Sequence, residues 1–317
     1  MHSGGQEFDT PRLHHFLIVL TVCSGHNRDM NVCAITMVYR DFFALTQWVR
    51  HYSNQLGIEN LFIVAHGPDP KVNEIAAGAN IWTIPRDNLE RFDRRRNWML
   101  NKFQSGLLKF YDWVIRTDTD ELICVDPDQH SSIRQLLASQ KDHAVFSIGL
   151  DLFEDDGDRQ IDANISVFDQ RQSVVITGNY SKAWAVRDAI PLMRHGVVVA
   201  QDGKRTHSYA FPTGVYLVHL KFASMDDLTK VNETRIALGR ADLPGMPGIG
   251  WQKANNHATK FFDKAESLEV MPWDEATKYA HDTILADMKF SEKDGVIRSP
   301  GIPYIARTTL PQWFKTC

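Results

Sequence analysis

Tyr111-Asp112-Trp113-Val114-Ile115-Arg116-Thr117-Asp118-Thr119-Asp120-Glu121-Leu122-Ile123 is an apolar run that ends in a burst of acid. Trp113 to Arg116 has no polar–apolar alternation, which is the pattern of a strand buried on both faces. Directly after it, Asp118 and Asp120 stand at i and i+2, where two carboxylates can converge on one hard cation. Their oxygens suit Mg²⁺ or Mn²⁺, ions that keep waters and engage substrate phosphates. Glu121 sits beside them, acting through water or from behind. A bare D-x-D also occurs as an ordinary polar turn, so its weight depends on what surrounds it.

Upstream, apolar runs alternate with amphipathic segments. Val32 to Val38 reads as a buried strand. Asp41 is placed to cap a helix whose apolar face is Leu45, Trp48, Val49, Tyr52 and Leu56, and Gly57 ends it. Asn60 to Ala65 is a second strand, Lys71 to Ala79 a short helix, and Asn80 to Ile84 a third strand stopped by Pro85. Leu89 to Tyr111 reads as a long helix with Phe92, Met99, Phe103, Leu107 and Phe110 on its core face. Such repeats of buried strand and helix predict an α/β fold, a mostly parallel sheet flanked by helices. Ligands in such sheets bind beyond the carboxyl ends of the strands, and the 118–121 acids lie at one.

After Ile123 the rhythm changes to a mixed second half. A helix is expected near Ser132–Ser139, strands at 144–150, 173–177, 182–186 and 215–220, a loop at Glu154–Asp162, and helices near 225–239 and 274–289. The segment 241–256, opening on Pro244-Gly245-Met246-Pro247-Gly248, is a breaker-rich loop that suits an idle surface better than a lid.

Composition narrows the function. The 317 residues carry 35 Lys+Arg against 39 Asp+Glu, a net charge of −4, which argues against a nucleic-acid footprint. The longest apolar run, Phe16 to Cys23, is too short to cross a membrane. Its flanks lack signal-peptide features. Residues 1–29 are therefore expected to be a poorly packed extension, and 30–317 one catalytic domain with a nucleotide-binding half to 125 and an acceptor half from 126. Cys23, Cys33, Cys124 and Cys317 show no metal-ligand spacing and are expected to be reduced, as in a cytoplasmic protein.

The 111–123 stretch resembles the D-x-D region of GT-A glycosyltransferases, most closely the family-2-like branch, in which an aromatic-rich strand precedes D-x-D-E-aliphatic. Ile35-Thr36-Met37-Val38-Tyr39-Arg40-Asp41 stands where that branch has its first strand and polar turn, and Trp48 to Gly57 matches its following helix. The resemblance covers 31–125 well and 175–235 more loosely. It implies a GT-A, Rossmann-like fold and a nucleotide-sugar-dependent transferase with Mn²⁺ or Mg²⁺ at Asp118 and Asp120. His219, in the strand-like Val215–Lys221, matches the late histidine that completes the metal shell in such enzymes; His195 and His207 are lesser candidates. It implies that Thr36, Val38 and Tyr39 lie under base and ribose. Asn101 and Lys102 match a pair near the nucleotide, with Arg95 and Lys182 as phosphate contacts. The usual R-N spelling is absent, and His66 stands where many relatives carry an acid.

Inverting transfer needs a general base. The carboxylates following the 144–150 strand, Asp151, Glu154, Asp155 and Asp156, include the candidates, with Asp151 and Glu154 preferred. The implied partners are a nucleotide-sugar donor, UDP slightly favoured, and a saccharide or glycolipid acceptor. The implied location is the cytoplasm, peripheral membrane attachment being allowed. A haloacid-dehalogenase-like phosphatase would use Asp118 as nucleophile and Asp120 as general acid. Such enzymes usually place Thr or Val where Leu122 stands, and their motif opens the domain. A nucleotidyltransferase would need a glycine-rich basic loop after Val38, and a non-catalytic binding module would have no need of the acid pair.

Overall fold

The computed structural model describes residues 30–201, 204–240 and 249–317. The expected extension 1–29, with Cys23, and residues 241–248 of the breaker-rich loop lie outside the described residues.

Four strands form the parallel part of the main sheet: β1 (Val32–Val38), β2 (Leu61–His66), β3 (Asn80–Ile84) and β4 (Trp113–Arg116). Beyond them come β5 (Glu121–Val125), β6 (Ala144–Phe146), β7 (Ile148–Phe153), β8 (Ser173–Thr177) and β9 (Ala183–Val186). The main sheet has seven strands, in the order β3-β2-β1-β4-β9-β6 and then the short Tyr209–Ala210. Pairing is parallel from β3 to β4, and β9 runs antiparallel to both β4 and β6. A second, five-stranded sheet has the order Ala306–Thr309, β8, β7, Val215–Phe222, β5. The protein is thus a mixed α/β fold whose mainly parallel sheet is flanked by helices.

Two helices cover the two faces of the main sheet. Helix α1 (Phe42–Leu56) is capped by the Asp41 carboxylate, which accepts the Ala44 N–H at 3.3 Å. It buries Leu45, Trp48, Tyr52 and Leu56 almost completely, as its periodicity predicts. Burial of each such side chain is worth about 1.5–3 kcal/mol. Helix α2 (Pro70–Ile75) lies beside α1, and helix α3 (Phe92–Leu107) covers the opposite face with Leu100 and Leu107. One expected core residue fails here: Phe110 is 79% exposed. The helix ends at Leu107, and the turn that follows carries Phe110 away from the sheet.

The chain leaves the main sheet after Arg116 and enters the second at Glu121, so the acidic segment 118–121 makes the crossover between sheets. Helix α1 holds this crossover from below. Trp48 Nε1 donates to Thr117 Oγ1 at 2.9 Å, the Tyr52 hydroxyl accepts the Ile123 N–H at 3.1 Å, and His51 Nε2 lies 2.8 Å from the Ile123 carbonyl. Helices Met225–Arg240 and Trp273–Ala286 agree with expectation within a few residues, whereas helix Ala254–Glu266 arises inside and after the segment read as a loop. Cys33, Cys124 and Cys317 are free thiols.

Candidate active site

Strand register builds the site. Val215–Phe222 lies between β7 and β5, and His219 stands opposite Asp151 on one side and Glu121 on the other. Three chemically active side chains thus form one row across three strands. His219 Nδ1 is 2.6 Å from Asp151 Oδ1, and its Nε2 is 3.2 Å from Asp120 Oδ2. Burial disfavours a charged imidazole, but Asp120 and Asp151 outweigh it and push His219 up to about 9. The same pairing holds Asp120 below the usual carboxylate range despite its burial.

Tyr180 stacks on the imidazole with ring centroids 3.8 Å apart. Gly149 makes this possible, because a Cβ there would lie 2.4 Å from the Tyr180 carbonyl carbon. The turn 178–181 crosses directly over β7, pinned by the Gly149 N–H donating to Ser181 Oγ at 2.7 Å.

Asp118 belongs to a different network. Its carboxylate bonds the Arg96 guanidinium and lies 3.6 Å from Lys182 Nζ. Lys182 is 2.7 Å from the fully buried Glu121, whose other oxygen accepts the Asp118 N–H at 2.9 Å. Burial opposes the ionisation of Asp118, yet Arg96 and Lys182 hold it well below the usual range. Burial raises Glu121 against the pull of Lys182. Thr119 is tied to β1, its hydroxyl donating to the Met37 carbonyl at 3.0 Å and lying 3.2 Å from Thr36 Oγ1.

Two clefts open beside these groups. One is lined by Val38, Tyr39, Arg40, His66 and Asp69, at the exits of β1 and β2. Flat groups are layered at its edge: Arg86 lies 3.4 Å over the Tyr39 ring, and His66 stacks on Phe92 at 5.0 Å. Burial, then Arg86 and Arg95, push His66 down to about 4, so the ring is neutral at pH 7. The other cleft runs past Asp120 and is lined by Asp41, Lys221, Ser224, Asp227 and Arg235. Burial and the neighbouring Asp120 raise Asp41 to about 7.

The site candidates divide accordingly. Asp120 pairs with His219 while Asp118 pairs with Arg96 and Lys182, so the two carboxylates expected on one cation face different partners. Thr36 touches the crossover through Thr119, and Val38 and Tyr39 line the neighbouring cleft. Asp151 joins Asp120 through His219. Glu154 is occupied elsewhere, accepting the Met225 N–H at 3.0 Å and lying 3.1 Å from Arg171. Asn101 bonds Arg116 at 2.7 Å and both backbone groups of Leu192, bracing the base of the site. Arg95 and Lys102 are on the outer face of α3, Arg95 donating to the Asn88 carbonyl and Lys102 lying over Trp98. His195 stands edge-on to Tyr180, and His207 pairs with Asp188 at 3.8 Å. Tyr180 and Asp41 carry no site role in the sequence reading, and Arg96 enters it only beside Arg95 in the run Arg94-Arg95-Arg96, of which one or two could face a phosphate. Arg96 was detectable, since it lies four residues before Leu100 and shares its inward face. Among the described residues, no group of three or more His, Cys, Asp or Glu side chains is arranged to hold a metal ion.

No protein-family model matches the sequence, and no curated protein matches it significantly. Solved structures with partial similarity include a mannosyltransferase from Pyrobaculum calidifontis in complex with GDP-Man and Mn²⁺, at 14% identity and TM-score 0.35, covering 81% of this chain and 78% of that one. Another is the mannosyltransferase Ktr4p from S. cerevisiae with GDP, at 14% identity and TM-score 0.27, covering 47% of each chain. A cytidylyltransferase from Leptospira borgpetersenii aligns at 15% identity and TM-score 0.24 over 37% of this chain and 54% of its own. The chain thus spans about half the length of the latter two. No helix among the described residues is long and apolar enough to cross a membrane.

Proposed function

We propose that this chain is a metal-dependent glycosyltransferase that moves a sugar from a nucleotide-sugar donor to an acceptor hydroxyl, with inversion. The observation that carries the reading is His219, buttressed by Asp151 at one ring nitrogen and facing Asp120 with the other. A histidine that ligates a metal usually donates its second N–H to a carboxylate, which fixes the tautomer and aims the free lone pair. Mn²⁺ or Mg²⁺ would be held by Asp120 and His219 after displacing the proton that Nε2 shares with Asp120, with Asp118 joining once Arg96 and Lys182 turn to a bound diphosphate. When bound, such an ion neutralises charge on the departing nucleoside diphosphate.

The chain's own residues supply the rest. Lys182 and Arg96 bring two cations to the place where diphosphate oxygens would lie. The layered Tyr39, Arg86 and His66 edge offers a flat, partly apolar seat for a base, and Thr36 braces the floor through Thr119. The base that deprotonates the acceptor is assigned to Asp41. It lines the cleft beside Asp120, whereas Asp151 is engaged with His219 and Glu154 with Arg171. UDP is the preferred donor nucleotide and a saccharide or glycolipid the acceptor, in a cytoplasmic setting.

Titration calorimetry with UDP, GDP and CDP, with and without Mn²⁺, tests the reading. One nucleotide should bind in a metal-dependent way, and Asp118→Ala and Asp120→Ala should abolish this with the fold retained. Slow release of nucleoside diphosphate from a nucleotide sugar without acceptor is also expected. Phosphate release from a generic phosphomonoester, with no nucleotide binding, would favour the phosphatase chemistry instead.

A further inference from the structure

Three exposed aromatic side chains lie on or beside α3. Trp98 is 65% exposed, Phe110 79% and Trp82 47%. Trp98 is on α3 and Phe110 just past its end, while Trp82 is on the neighbouring edge strand β3. Trp82 meets Phe103 of α3 edge-on at 5.1 Å, so its exposed ring lies against that helix. Exposed aromatic groups gathered in this way mark an interaction surface.

Glu90 and Asp112 flank the helix and Asp93 lies in its first turn, but the outward stripe of α3 itself carries charges of one sign. At 3.6 residues per turn, Arg94, Arg95, Trp98 and Lys102 follow one outward stripe of α3; Arg91 precedes the helix and Lys109 lies just past its end, and all six are exposed. Leu100, Gln104 and Leu107 face inward on the opposite side. From Trp98 to Phe110 there is no Asp or Glu, although the chain as a whole has a net charge of −4. Helix Trp273–Ala286 also exposes apolar groups, Tyr279 and Leu285, but intersperses them with Asp274, Glu275 and Asp282. Basic charge and exposed aromatic surface therefore coincide on α3.

We propose that the outer face of α3, with Trp82 of β3, docks on an anionic phospholipid bilayer. Indole and phenyl rings sit at the level of lipid headgroups, and Lys and Arg stems lie along apolar surface with their charges at the phosphates. Trp98 lies within α3 and Phe110 in the turn past its end, which spreads the anchors over more than one headgroup. A second copy of the chain is a poorer occupant. A two-fold pairing of this face would oppose Arg95, Lys102 and Lys109 to their own equivalents. The inward face of the same helix carries Arg96 to Asp118, so docking would hold the acidic site roughly one helix diameter, ~10 Å, above the lipid surface. The proposal does not depend on the chemistry assigned to that site.

Vesicle flotation of the full chain tests it, with phosphatidylcholine vesicles containing phosphatidylglycerol and with pure phosphatidylcholine vesicles. Binding should favour the anionic vesicles, weaken as salt rises, and shift tryptophan emission to the blue. Lys102→Ala with Lys109→Ala should weaken binding about tenfold or more. Trp98→Ala should weaken it comparably, Trp98→Phe should lose most of the emission shift, and Tyr279→Ala should bind as the parent does. Asp118→Ala should float normally, separating this property from the donor site. Absence of flotation with anionic vesicles at low salt would overturn the proposal, as would α3 variants that bind normally. So would a dimer in light scattering that Trp98→Ala dissolves.

Discussion

Asp151→Ala removes the carboxylate that lies 2.6 Å from His219 Nδ1. Both partners are nearly inaccessible, Asp151 at 5% and His219 at 3% exposed, so water does not readily replace the lost oxygen. An unpaired buried donor costs about 1–3 kcal/mol. Asp120 and Asp151 together keep a proton on each ring nitrogen, so an ion must displace the Nε2 proton; without Asp151 nothing holds the Nδ1 proton in place while it does so. Removing such a supporting partner typically weakens metal affinity 10- to 100-fold. Asp151→Asn keeps an oxygen acceptor of the same reach and should retain more affinity than alanine. Free Mn²⁺ measured by electron paramagnetic resonance, titrated with protein in the presence of UDP or GDP, reads the effect directly, and His219→Ala sets its upper limit. Parent-like affinity in Asp151→Ala beside a large loss in His219→Ala would refute the orienting role. Parent-like affinity in both would show that an ion, if held, is held elsewhere.

Four further outcomes are expected. Lys182→Met strands the buried Glu121 carboxylate and should cost about 3–5 kcal/mol in urea unfolding; adding Glu121→Gln should return most of it, and no recovery would mean that the pair does not couple. Asp41→Asn preserves helix capping, since Asn caps as well as Asp, but removes the base; donor turnover with acceptor should fall 10²- to 10⁴-fold at unchanged melting temperature, and undiminished turnover would exclude Asp41. Burial pushes His51 down to about 4, below the value near 6.5 of the unfolded chain, so the unfolded state takes up the proton first as pH falls. Its contribution is complete above pH 6.5 and is lost progressively toward pH 4, about 3 kcal/mol in all; His51→Gln should flatten the stability profile in that window, and an equally steep profile would discount His51. Gly149→Ala drives a methyl group into the Tyr180 backbone and should lower the melting temperature measurably, a neutral result meaning that the crossing turn can move.

The first four strands and α1 were legible because local pattern and tertiary role coincide there. Val32–Val38 has no polar residue except Thr36, and Thr36 is bonded to Thr119 beneath the site. Leu45, Trp48, Tyr52 and Leu56 repeat at the helical period and all meet the core. Phe110 broke the pattern because apolar spacing does not say where a helix stops. Lys102 is favoured by a family motif and Arg95 by its place in a basic stripe, although the phase set by Leu100 and Leu107 turns Arg96 inward instead. The second half was read less fully, since its short strands Leu192–Met193, Gly196–Val198, Lys289–Ser291 and Val296–Arg298 owe their structure to partners distant in sequence.

From the sequence alone came the alternation of buried strands and helices and the acidic cluster at a strand exit, which rest on residue type and spacing over short range; the candidacy of His219 came from the family resemblance. Only the tertiary structure aligned Asp151, His219 and Glu121 in one row, joined Arg96 and Lys182 to Asp118, and left Trp98 and Phe110 facing outward. Those arrangements follow from strand register between segments far apart in the chain and from where α3 ends, which no local pattern encodes.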